Sequence, residues 1–561
     1  MGRDAFVEWE QRFGHNETGM LDRLQAAAAR RERITRDDLH AIAEEYGRPV
    51  AAVAGAAGFY ADFAGAHGTR HVRICAGTSC FVSAGDHTVP LAEAALGVQP
   101  GHASADGSVS LAAAYCLGYC YASPTALDGH TPITGPDLGD RLLSPEHPVA
   151  AAPQIPYHQA SRQAVTLAGL TGAEDSWQVW PQIVTTGSPH AVRAEVALAG
   201  LRGRGGAEFP VADKWQAACR NPAPRFVVAN GDEGDPGSFC DRLLLESDPD
   251  RVLEGLALAG FATGANRGVV FVRSEYPIAV GRMQAAVEAA RAAGHLGTGV
   301  HGSSFDFDVE VVQGAGSYVA GEETALLHAV QGLRGSVRPR PPYPTESGLA
   351  GHPTVVNNIE TLTAVPWVLR HGGNTYAQLG NKVETGTKLV CLSQRFRHPG
   401  VYEVEFGVPL RYIVDTLGGG LKPGYTLRAL QVGGPLGGFL SPDDLDTPLL
   451  AEALAEAGVS LGHGSLVAID DRVTARELLR HVWSFAAAES CGTCTPCRVG
   501  TRRGRELVDL LPADAENTLS QQENLLDVMG AGSLCAFGRG VSAAVRSLVR
   551  VYQDELRTGG R

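Results

Sequence analysis

Four cysteines near the C-terminus have the spacing of an iron–sulfur site. Cys491, Cys494 and Cys497 form a C-x2-C-x2-C triplet in ESCGTCTPCR, and Cys535 follows later in GSLCAFG. Three thiolates at every third position can wrap one turn around a cube of iron and sulfide, and a distant fourth thiolate closes the cage. Structural zinc sites more often pair two C-x2-C knuckles, and a long chain with no secretory signal is a poor candidate for disulfides. The spacing therefore predicts a [4Fe-4S] cluster, which transfers electrons one at a time.

A second set of four cysteines lies in the N-terminal quarter. Cys75 and Cys80 form C-x4-C, and Cys116 and Cys120 form C-x3-C, each pair after a short apolar run. Two loops that each offer two thiolates suit a flat [2Fe-2S] rhomb, with one pair per iron. The alternative is a set of buried cysteines without a metal. Three further cysteines are interpreted as ordinary free thiols: Cys219, Cys240 and Cys391.

A glycine-rich loop offers a place for a phosphate group. The segment LRGRGGAEFPVADKW contains Gly203, Gly205 and Gly206, which let backbone N–H groups approach an anion. Arg204 and Lys214 add positive charge in the same segment. Glycine-rich turns are common, and this one is not a G-x-G-x-x-G motif, so the loop alone does not identify a nucleotide site.

Acidic and polar side chains follow the next apolar run, FVVANGDEGDPGSF. The run predicts a strand that leads into Asn230, Asp232, Glu233 and Asp235. Clustered acids after a strand can bind the hydroxyl groups of a ribose or a ring. The alternative is a solvated acidic turn.

Two more segments carry polar side chains next to predicted helices. VVQGAGSYVAGEETALL places Tyr318, Glu322 and Glu323 at the start of a helix, where an acid pair can also serve only as a cap. PTVVNNIETL contains Asn357 and Asn358, whose amides can donate and accept around the edge of a heterocycle. These two segments add hydrogen-bonding groups to the candidate ligand site.

Composition is typical of a cytoplasmic redox protein. The chain has 561 residues, 44% of them apolar, which is enough for several cores. Its net charge of −14 argues against nucleic-acid and anionic-membrane partners. We expect no membrane span, because no long uncharged apolar window occurs, and no signal peptide, because MGRDAFVEWEQRF is charged. Eleven cysteines without an export signal fit reduced thiolates in the cytoplasm.

The elements that must position these residues suggest a multidomain α/β protein with six regions. Apolar residues recur at helical spacing at both ends of the chain, whereas short strands and turns dominate before the C-terminal helices. The predicted regions are N-terminal helices at 1–70, a strand–helix region around four cysteines at 71–150, a connector at 151–190, a glycine-rich α/β body at 191–385, a small β-rich region at 386–470, and cysteine-bearing helices at 471–561.

The motifs, taken in order, resemble one family over nearly the whole chain. RGRGGA, N-x-DEG-x-PG-x-F, GAG-x-Y-x-x-GEETAL, PP-x-P, PT-x-x-NN-x-ET and ESCG-x-CTPCR are similar to the NADH-oxidising flavoprotein subunit of complex I. They are equally similar to the diaphorase subunits of soluble NAD-reducing hydrogenases and formate dehydrogenases. The N-terminal cysteine region resembles the thioredoxin-like [2Fe-2S] subunit of complex I, here fused ahead of the flavoprotein.

The resemblance implies both the cofactors and the kinds of domain. The expected cofactors are FMN, one [2Fe-2S] cluster, one [4Fe-4S] cluster and NAD(H). The expected domains after the N-terminal helices are a thioredoxin-like ferredoxin domain, a Rossmann-like FMN- and NAD-binding domain, a small β-grasp-like (SLBB) domain and a C-terminal helical bundle that holds the [4Fe-4S] cluster.

Within the family, several phrases favour a formate dehydrogenase. NGDEGDPGSFCDR, VRSEYP, QVGGPLGG, GHGSLV and GSLCA look more like the β subunits of molybdenum- or tungsten-containing, NAD-dependent formate dehydrogenases. The N-terminal fusion and VYEVEFGVPL also resemble hydrogenase diaphorases. We therefore expect a hetero-oligomer in which a molybdopterin α subunit oxidises formate and this chain passes the electrons through [4Fe-4S] and FMN to NAD. The alternatives are a [NiFe] hydrogenase, a complex I module, or a non-catalytic electron-transfer or assembly subunit.

The resemblance also implies a role for individual residues. Glu323 and Asp235 are expected to place NADH for hydride transfer, and Phe209 and Tyr343 to stack on it. The FMN phosphate side would be held by Gly203, Arg204, Gly205 and Lys214. The flavin would be lined by Asn230, Asp232, Gly321, Glu322, Asn357, Asn358 and Thr361. The wider cofactor pocket would include Glu233, Tyr318 and Arg340.

Four positions depart from the family pattern. Glu208 replaces the glycine or alanine expected before Phe209 and adds charge near the nucleotide. Arg340 and Tyr343 replace the lysine and phenylalanine of KPPFP, and Asp235 stands where complex I usually has glutamate. Charge sign and aromaticity persist at the last three positions, so Glu208 is the departure expected to affect the nucleotide most.

Overall fold

The computed structural model describes residues 19–30, 33–143 and 153–558. The parts of the predicted regions at 1–18, 31–32, 144–152 and 559–561 lie outside the described residues. Within the described residues the chain forms several α/β layers and a helical C-terminal region, so the predicted multidomain α/β class is confirmed.

The first helices pack against the central sheet of the protein. A reciprocal capping box starts the second helix, because Thr35 and Asp38 each accept the other's backbone N–H, at 3.1 and 3.0 Å. Leu24 of the first helix is fully buried in the same core as Val228 of a central strand. These helices are α1 (Met20–Ala28), α2 (Arg36–Glu45) and α3 (Val50–Ala57).

A five-stranded sheet in the order β2-β3-β1-β4-β5 carries the N-terminal cysteines. The central strand pairs in parallel with β3 and antiparallel with β4. Cys75 is the last residue of the central strand, and Cys116 follows the end of its parallel neighbour. The elements are β1 (Arg70–Cys75), α4 (Thr78–Ala84), α5 (Thr88–Leu96), β2 (His102–Ala103), β3 (Val109–Ala114), β4 (Thr125–Asp128), β5 (Thr131–Thr134) and α6 (Leu138–Leu143).

A four-stranded parallel sheet in the order β10-β7-β8-β9 forms the central α/β body. Three of its strands, β7, β8 and β10, are almost entirely buried, as expected for a parallel sheet covered by helices, whereas only Val309 is fully buried in the edge strand β9. The register pairs Asn358 with Asn230, so the two predicted ligand segments end side by side at the carboxyl edge of the sheet. The elements are α7 (Trp180–Thr186), α8 (Pro189–Ala199), α9 (Val211–Cys219), β7 (Phe226–Gly231), α10 (Cys240–Ser247), α11 (Pro249–Thr263), β8 (Arg267–Val272), α12 (Pro277–Ala292), β9 (Asp308–Gln313), α13 (Glu323–Val330), β10 (Thr354–Asn358), α14 (Ile359–His371) and α15 (Gly373–Tyr376).

A six-stranded mixed sheet in the order β14-β13-β15-β11-β12-β6 follows. Its edge strand β6 comes from the stretch predicted as a connector, and Trp180 of the same stretch is fully buried. The sequence shows no strand period there because β6 has three residues, all with exposed side chains. The elements are β6 (Tyr157–Gln159), β11 (Thr387–Leu392), β12 (Gly400–Glu405), β13 (Leu427–Val432), β14 (Gly438–Leu440), α16 (Ala451–Glu456) and β15 (Ser465–Asp470).

The C-terminal region is a bundle of helices around Trp483, Leu526 and Val541, which are buried in one core. Two of these helices begin directly after two of the predicted cluster cysteines, Cys494 and Cys535. In the described part of the chain, no helix is both long enough and apolar enough to cross a membrane. The elements are α17 (Ala475–Glu489), α18 (Thr495–Leu510), α19 (Ala515–Gly532), α20 (Ala536–Val551) and α21 (Gln553–Arg557).

Candidate functional site

The four C-terminal cysteines meet in one cavity. Cys491, Cys494, Cys497 and Cys535 line it together with Phe537, three aliphatic residues and two hydroxyl residues. Cys494 and Cys535 are the N-caps of α18 and α20, so the positive ends of two helix dipoles lie next to the thiolates. Burial raises the pKa of Cys497 to about 12, so its thiolate needs a cation beside it. This donor set fits a [4Fe-4S] cluster.

The four N-terminal cysteines are also brought together and buried. The sulfur atoms of Cys116 and Cys120 lie 3.6 Å apart, and Cys75 and Cys80 adjoin them. The Gly118 N–H donates to the sulfur of Cys116 at 3.3 Å. Four thiols at and after the carboxyl ends of the parallel strands β1 and β3, with an amide donor to sulfur, fit the predicted [2Fe-2S] cluster.

Two buried arginines join this cysteine loop to the central body. Arg273 donates to the Cys116 carbonyl at 3.1 Å and to the Glu233 carbonyl, and it pairs with Glu275 at 3.0 Å. Arg242 donates to the Gly118 carbonyl at 2.6 Å. Sequence reasoning missed both arginines, although they stand in CDR and VRSEYP, the motifs that carried the resemblance.

Hydrogen bonds to other parts of the protein hold the glycine-rich loop in place. The Gly203 N–H donates to the Phe209 carbonyl at 2.9 Å, and the Arg204 N–H donates to Oγ1 of Thr361 at 2.9 Å. The Arg204 guanidinium is buried and donates to the Tyr376 hydroxyl at 2.8 Å. The guanidinium thus supports the loop from inside the protein, and the expected contact of Arg204 with the FMN phosphate side stays a prediction.

Lys214 and Glu323 form one charged cluster with Arg340. Nζ of Lys214 lies 3.2 Å from Glu323 and donates to the Val356 carbonyl at 3.1 Å. Arg340 lies 2.7 Å from the other oxygen of Glu323. The residue predicted at the phosphate and the residue predicted at the nucleotide therefore contact each other directly.

Glu322 combines the predicted pocket position with helix capping. Its carboxylate accepts the N–H groups of Thr324 and Ala325 at 2.9 and 3.1 Å, which caps α13. One of its oxygens also lies 3.4 Å from Arg340. Capping, the alternative that the sequence left open, is therefore observed for this acid.

Asn230 and Asp232 are polar residues that lie next to Gly321. The Asn230 amide donates to the Gly321 carbonyl at 2.9 Å, and its oxygen accepts the Asp232 N–H at 3.1 Å. Burial raises the pKa of Asp232 well above its ordinary value. Its buried Oδ2 has no hydrogen-bond partner among the described residues. A buried acceptor of this kind fits a ligand that supplies a donor, such as the ribityl or ring groups of a flavin.

Glu233 points into the protein. Its two oxygens accept the N–H groups of Asp241 and Arg242 at 3.1 and 3.0 Å, which caps α10, and the Tyr276 hydroxyl donates to it at 3.2 Å. The side chain is completely buried. Both oxygens accept hydrogen bonds from internal groups, and the expected cofactor contact of Glu233 stays a prediction.

Asp235 and Tyr318 connect the acidic loop with the C-terminal bundle. The Tyr318 hydroxyl donates to Asp235 at 2.5 Å, and burial raises the pKa of that carboxyl group. The Tyr318 N–H donates to Glu489 at 3.0 Å, and its ring lies 5.6 Å from that of Phe537. Phe537 lines the C-terminal cysteine cavity, so Tyr318 connects the acidic loop with a residue of that cavity.

The paired asparagines have different surroundings. Asn357 accepts the indole N–H of Trp215 at 2.9 Å. Asn358 caps α14 by accepting the Thr361 N–H at 3.2 Å. A Cβ at Gly205 would lie 3.0 Å from the Cβ of Asn358, so the glycine-rich loop passes directly against this residue.

Phe209 and Tyr343 are large aromatic residues with accessible faces. Their exposed fractions are 51% and 52%, so both can stack on a bound ring. Glu208 precedes Phe209 with a φ of 50°, a conformation that favours glycine. Burial raises the pKa of the Glu208 carboxyl group. The backbone conformation thus accounts for glycine, one of the two residues expected at position 208.

Three protein families match successive parts of the chain. Residues 6–133 match the thioredoxin-like [2Fe-2S] ferredoxin family. Residues 196–367 match the Nuo51 FMN-binding domain, and residues 477–559 match the NADH-ubiquinone oxidoreductase-F iron–sulfur binding region. The predicted cofactors FMN, [2Fe-2S], [4Fe-4S] and NAD(H) are confirmed by these matches and by the relatives described next.

The chain is similar to proteins from two kinds of complex. It is 38% identical over 375 residues to the NADP-reducing hydrogenase subunit HndC of Solidesulfovibrio fructosivorans, which covers 66% of this chain and 76% of the relative. It is 37% identical over 381 residues to a subunit of the NADH-quinone oxidoreductase of Escherichia coli, covering 66% of this chain and 85% of the relative.

Solved structures match almost the full length. In the crystal structure of an NAD⁺-reducing [NiFe]-hydrogenase in the H2-reduced state, one chain is similar with a TM-score of 0.86 and 31% identity. The match covers 97% of this chain and 93% of that one. The chain therefore belongs to the family of NADH-oxidising, FMN- and iron–sulfur-binding diaphorase subunits that includes the matched NADH-quinone oxidoreductase proteins, in a form fused to a thioredoxin-like [2Fe-2S] domain.

Proposed function

We propose that this chain is the diaphorase subunit of a cytoplasmic, NAD-dependent formate dehydrogenase. A molybdopterin subunit with molybdenum or tungsten would oxidise formate, and this chain would exchange the electrons with NAD(H). The phrases NGDEGDPGSFCDR, QVGGPLGG and GSLCA support formate as the electron donor. The chain itself carries sites for three redox groups, and a separate subunit would supply the centre that cleaves the C–H bond.

The position of the acidic loop 232–235 is the observation that supports the proposed electron exchange with NAD(H). At one end of this loop, Arg273 links the Glu233 carbonyl to that of the cluster ligand Cys116. At the other end, Asp235 is bonded to Tyr318, which packs on Phe537 beside the C-terminal cysteines. FMN, when bound, can exchange hydride with NAD(H) and single electrons with clusters. A flavin on this loop would lie between the two cysteine sites.

The surrounding residues suggest how the nucleotide is bound. The exposed rings of Phe209 and Tyr343 would stack on NADH, as expected from the family. Glu323 fixes the positions of Lys214 and Arg340, the two cations nearest to it, at 3.2 and 2.7 Å. These residues would orient NADH and attract its phosphates.

The C-terminal cysteine site supports a docking position for the electron-donating subunit. Cys494 is only partly buried, and Leu534, which lines the same cavity, is 42% exposed. Arg498 and Arg502 continue along the exposed face of α18. The chain as a whole has a charge of −14, so this local basic face would favour an acidic surface on its partner.

A second candidate is the diaphorase subunit of an NAD-reducing hydrogenase. The observation that favours it is the match of 97% of this chain to one chain of an NAD⁺-reducing [NiFe]-hydrogenase, which includes the fused N-terminal region. The matched NADH-quinone oxidoreductase protein of Escherichia coli supports a complex I module over 66% of this chain. A non-catalytic subunit is disfavoured, because the charged cluster, the buried Asp232 acceptor and both exposed aromatics are all present.

Native purification of the assembly tests the proposal. The complex that contains this chain should hold molybdenum or tungsten, and formate should drive NAD reduction. Because the flavin exchanges hydride in both directions, NADH should also support slow reduction of carbon dioxide. Nickel in the complex, with hydrogen but not formate as the donor, would establish the hydrogenase function instead. An isolated chain that shows no flavin spectrum and fails to oxidise NADH with an artificial dye would be the result expected of a non-catalytic subunit.

A further inference from the structure

A histidine from the six-stranded sheet region reaches into the central α/β body. His463 lies on the loop before β15, between Gly462 and Gly464, whose φ values are 54° and 87°. Its Nε2 lies 2.7 Å from Oδ2 of Asp241, near the start of α10. Asp241 has no exposed surface, so this is a buried contact between two separate layers of the protein.

Asp241 connects the histidine with the start of α14. Its Oδ2 also accepts the Asn358 side-chain amide at 2.6 Å, and its Oδ1 accepts the Glu360 N–H at 3.2 Å. Nε2 of His463 and Nδ2 of Asn358 lie 3.1 Å apart. Both nitrogens donate to the same carboxylate oxygen, which explains the short distance between them without a hydrogen bond from one to the other.

Asn358 in turn contacts the glycine-rich loop. Its oxygen accepts the Thr361 N–H at 3.2 Å, and Oγ1 of Thr361 accepts the Arg204 N–H at 2.9 Å. Gly205 passes so close that a Cβ there would lie 3.0 Å from the Cβ of Asn358. A movement of Asn358 would therefore displace the loop.

The contact between His463 and Asp241 is an ion pair. Burial lowers the pKa of His463, but the carboxylate of Asp241 outweighs burial and raises it to about 10. Glu233 favours the same charge, and Lys388 opposes it. The imidazole thus carries its proton at neutral pH, and charged hydrogen bonds inside a protein are stronger than neutral ones.

We propose that His463 is a positioning residue for the flavin. Its imidazolium holds Asp241, and through Asp241 it fixes Asn358 and the glycine-rich loop in the geometry that binds FMN. The inference rests on the proposed flavin contact of Asn358 and extends it, because it gives the six-stranded sheet region a part in the flavin site. Sequence reasoning missed His463, although GHGSLV was one of the motifs considered.

The affinity of the full chain for FMN tests this role without any turnover. The flavin is removed anaerobically, and the fluorescence of added FMN reports rebinding. His463→Gln, which keeps the size and loses the charge, should raise the Kd for FMN by about 10- to 100-fold, the range of one charged hydrogen bond. Iron content and the EPR signals of both clusters should stay as in the wild type, which shows that the fold is retained.

Two further variants control for charge and burial. His463→Lys keeps a cation and should recover most of the affinity for FMN. His481 is as buried as His463, at 9% exposure, but contacts Thr78 on the N-terminal sheet region. His481→Gln should therefore leave the Kd unchanged. If His463→Gln does not fold, Asp241→Asn, which keeps the shape of the side chain, makes the same comparison.

Combined substitutions separate this role from the proposed flavin contact. If His463 acts through Asn358, His463→Gln added to Asn358→Ala should weaken FMN binding by no more than about twofold beyond Asn358→Ala alone. Independent, multiplying effects would overturn the positioning role, and so would wild-type affinity in His463→Gln. Wild-type affinity in Asn358→Ala would instead remove the flavin contact on which the inference rests.

Metal analysis provides an independent check. Donor atoms of Glu233, Cys240, Asp241 and His463 lie within 4.8 Å of one another, and all four could also ligate zinc. We expect no zinc in stoichiometric amounts, because Glu233 and Asp241 already accept backbone N–H groups. One zinc per chain that is lost in His463→Gln would overturn the positioning role.

Discussion

Glu323 at the start of α13 keeps two cations in place, Lys214 and Arg340. Glu323→Ala would leave these like charges facing each other, and both would move away from the nucleotide position. We expect the KM for NADH to rise about tenfold, which corresponds to about 1.4 kcal/mol, while FMN stays bound. Steady-state NADH oxidation with an artificial dye, together with flavin content, measures both effects. Glu452→Ala, at an exposed site on α16, is the control and should change neither.

Glu208 combines an unfavourable backbone conformation with a charge next to Phe209. Glu208→Gly should relieve the positive φ and remove the repulsion of the nucleotide pyrophosphate, so the Kd for NADH should fall. The repulsion should be stronger still for the extra phosphate of NADPH, so we expect the wild type to prefer NAD. An unchanged or higher Kd for NADH in Glu208→Gly would show that the carboxylate is directed away from the nucleotide.

The pH dependence of NADH binding provides a second test of Glu208. Burial raises the pKa of its carboxyl group, so it takes up a proton at a higher pH than an exposed glutamate does. The protonated form no longer repels the pyrophosphate, and NADH should bind more tightly as pH falls through that raised pKa. Glu208→Gln, which cannot ionise, should lack this part of the pH profile.

Among the connecting elements, the loop that carries Cys116 depends on the Arg273–Glu275 ion pair. Arg273→Met leaves Glu275 buried without its counter-charge and should lower the free energy of unfolding by about 3–5 kcal/mol. The [2Fe-2S] EPR signal should be lost or diminished, whereas the [4Fe-4S] signal should persist. Adding Glu275→Gln should restore part of the stability, and no restoration would argue against the ion pair as the cause.

The same elements show how far the sequence predicts the site. Spacing predicted the C-terminal cysteine set, whereas for the N-terminal set it left buried cysteines without a metal open as an alternative. Local sequence did not reveal the internal partners of Arg204 and Glu233, whose side chains turn inward to distant residues such as Tyr376 and Tyr276. Strand β6 left no periodic signal, since it has only three residues and all three are exposed. Side-chain orientation and strand pairing at these positions therefore depend on contacts between elements far apart in sequence, which local patterns do not show.

At the scale of the whole molecule, the basic face of α18 is predicted to control coupling to the donor subunit. Arg502→Glu should reduce formate-driven NAD reduction by the assembly, because exposed charges at the edge of an interface act mainly on the rate of association. The reduction should be largest at low ionic strength, where salt screens these charges least. NADH oxidation with a dye by the isolated chain should be unaffected. Arg282→Glu, exposed on α12, is the matched control and should leave both rates unchanged. Equal inhibition of both rates by Arg502→Glu would contradict a docking role.

The pairing of β6 with β12 indicates where the gene could be split into two genes, or two genes fused into one, without dividing a sheet. Because β6 belongs to the six-stranded sheet, a break in the chain ahead of it would leave the five-stranded sheet with its four cysteines in one polypeptide and every other sheet in the second. The hydrogen bonds of Arg242 and Arg273 would then join two separate polypeptides across an interface that is intramolecular in the single chain. Fusion supplies an effective concentration on the order of millimolar, so a single-chain protein can function with an interface too weak to hold two freely diffusing proteins together.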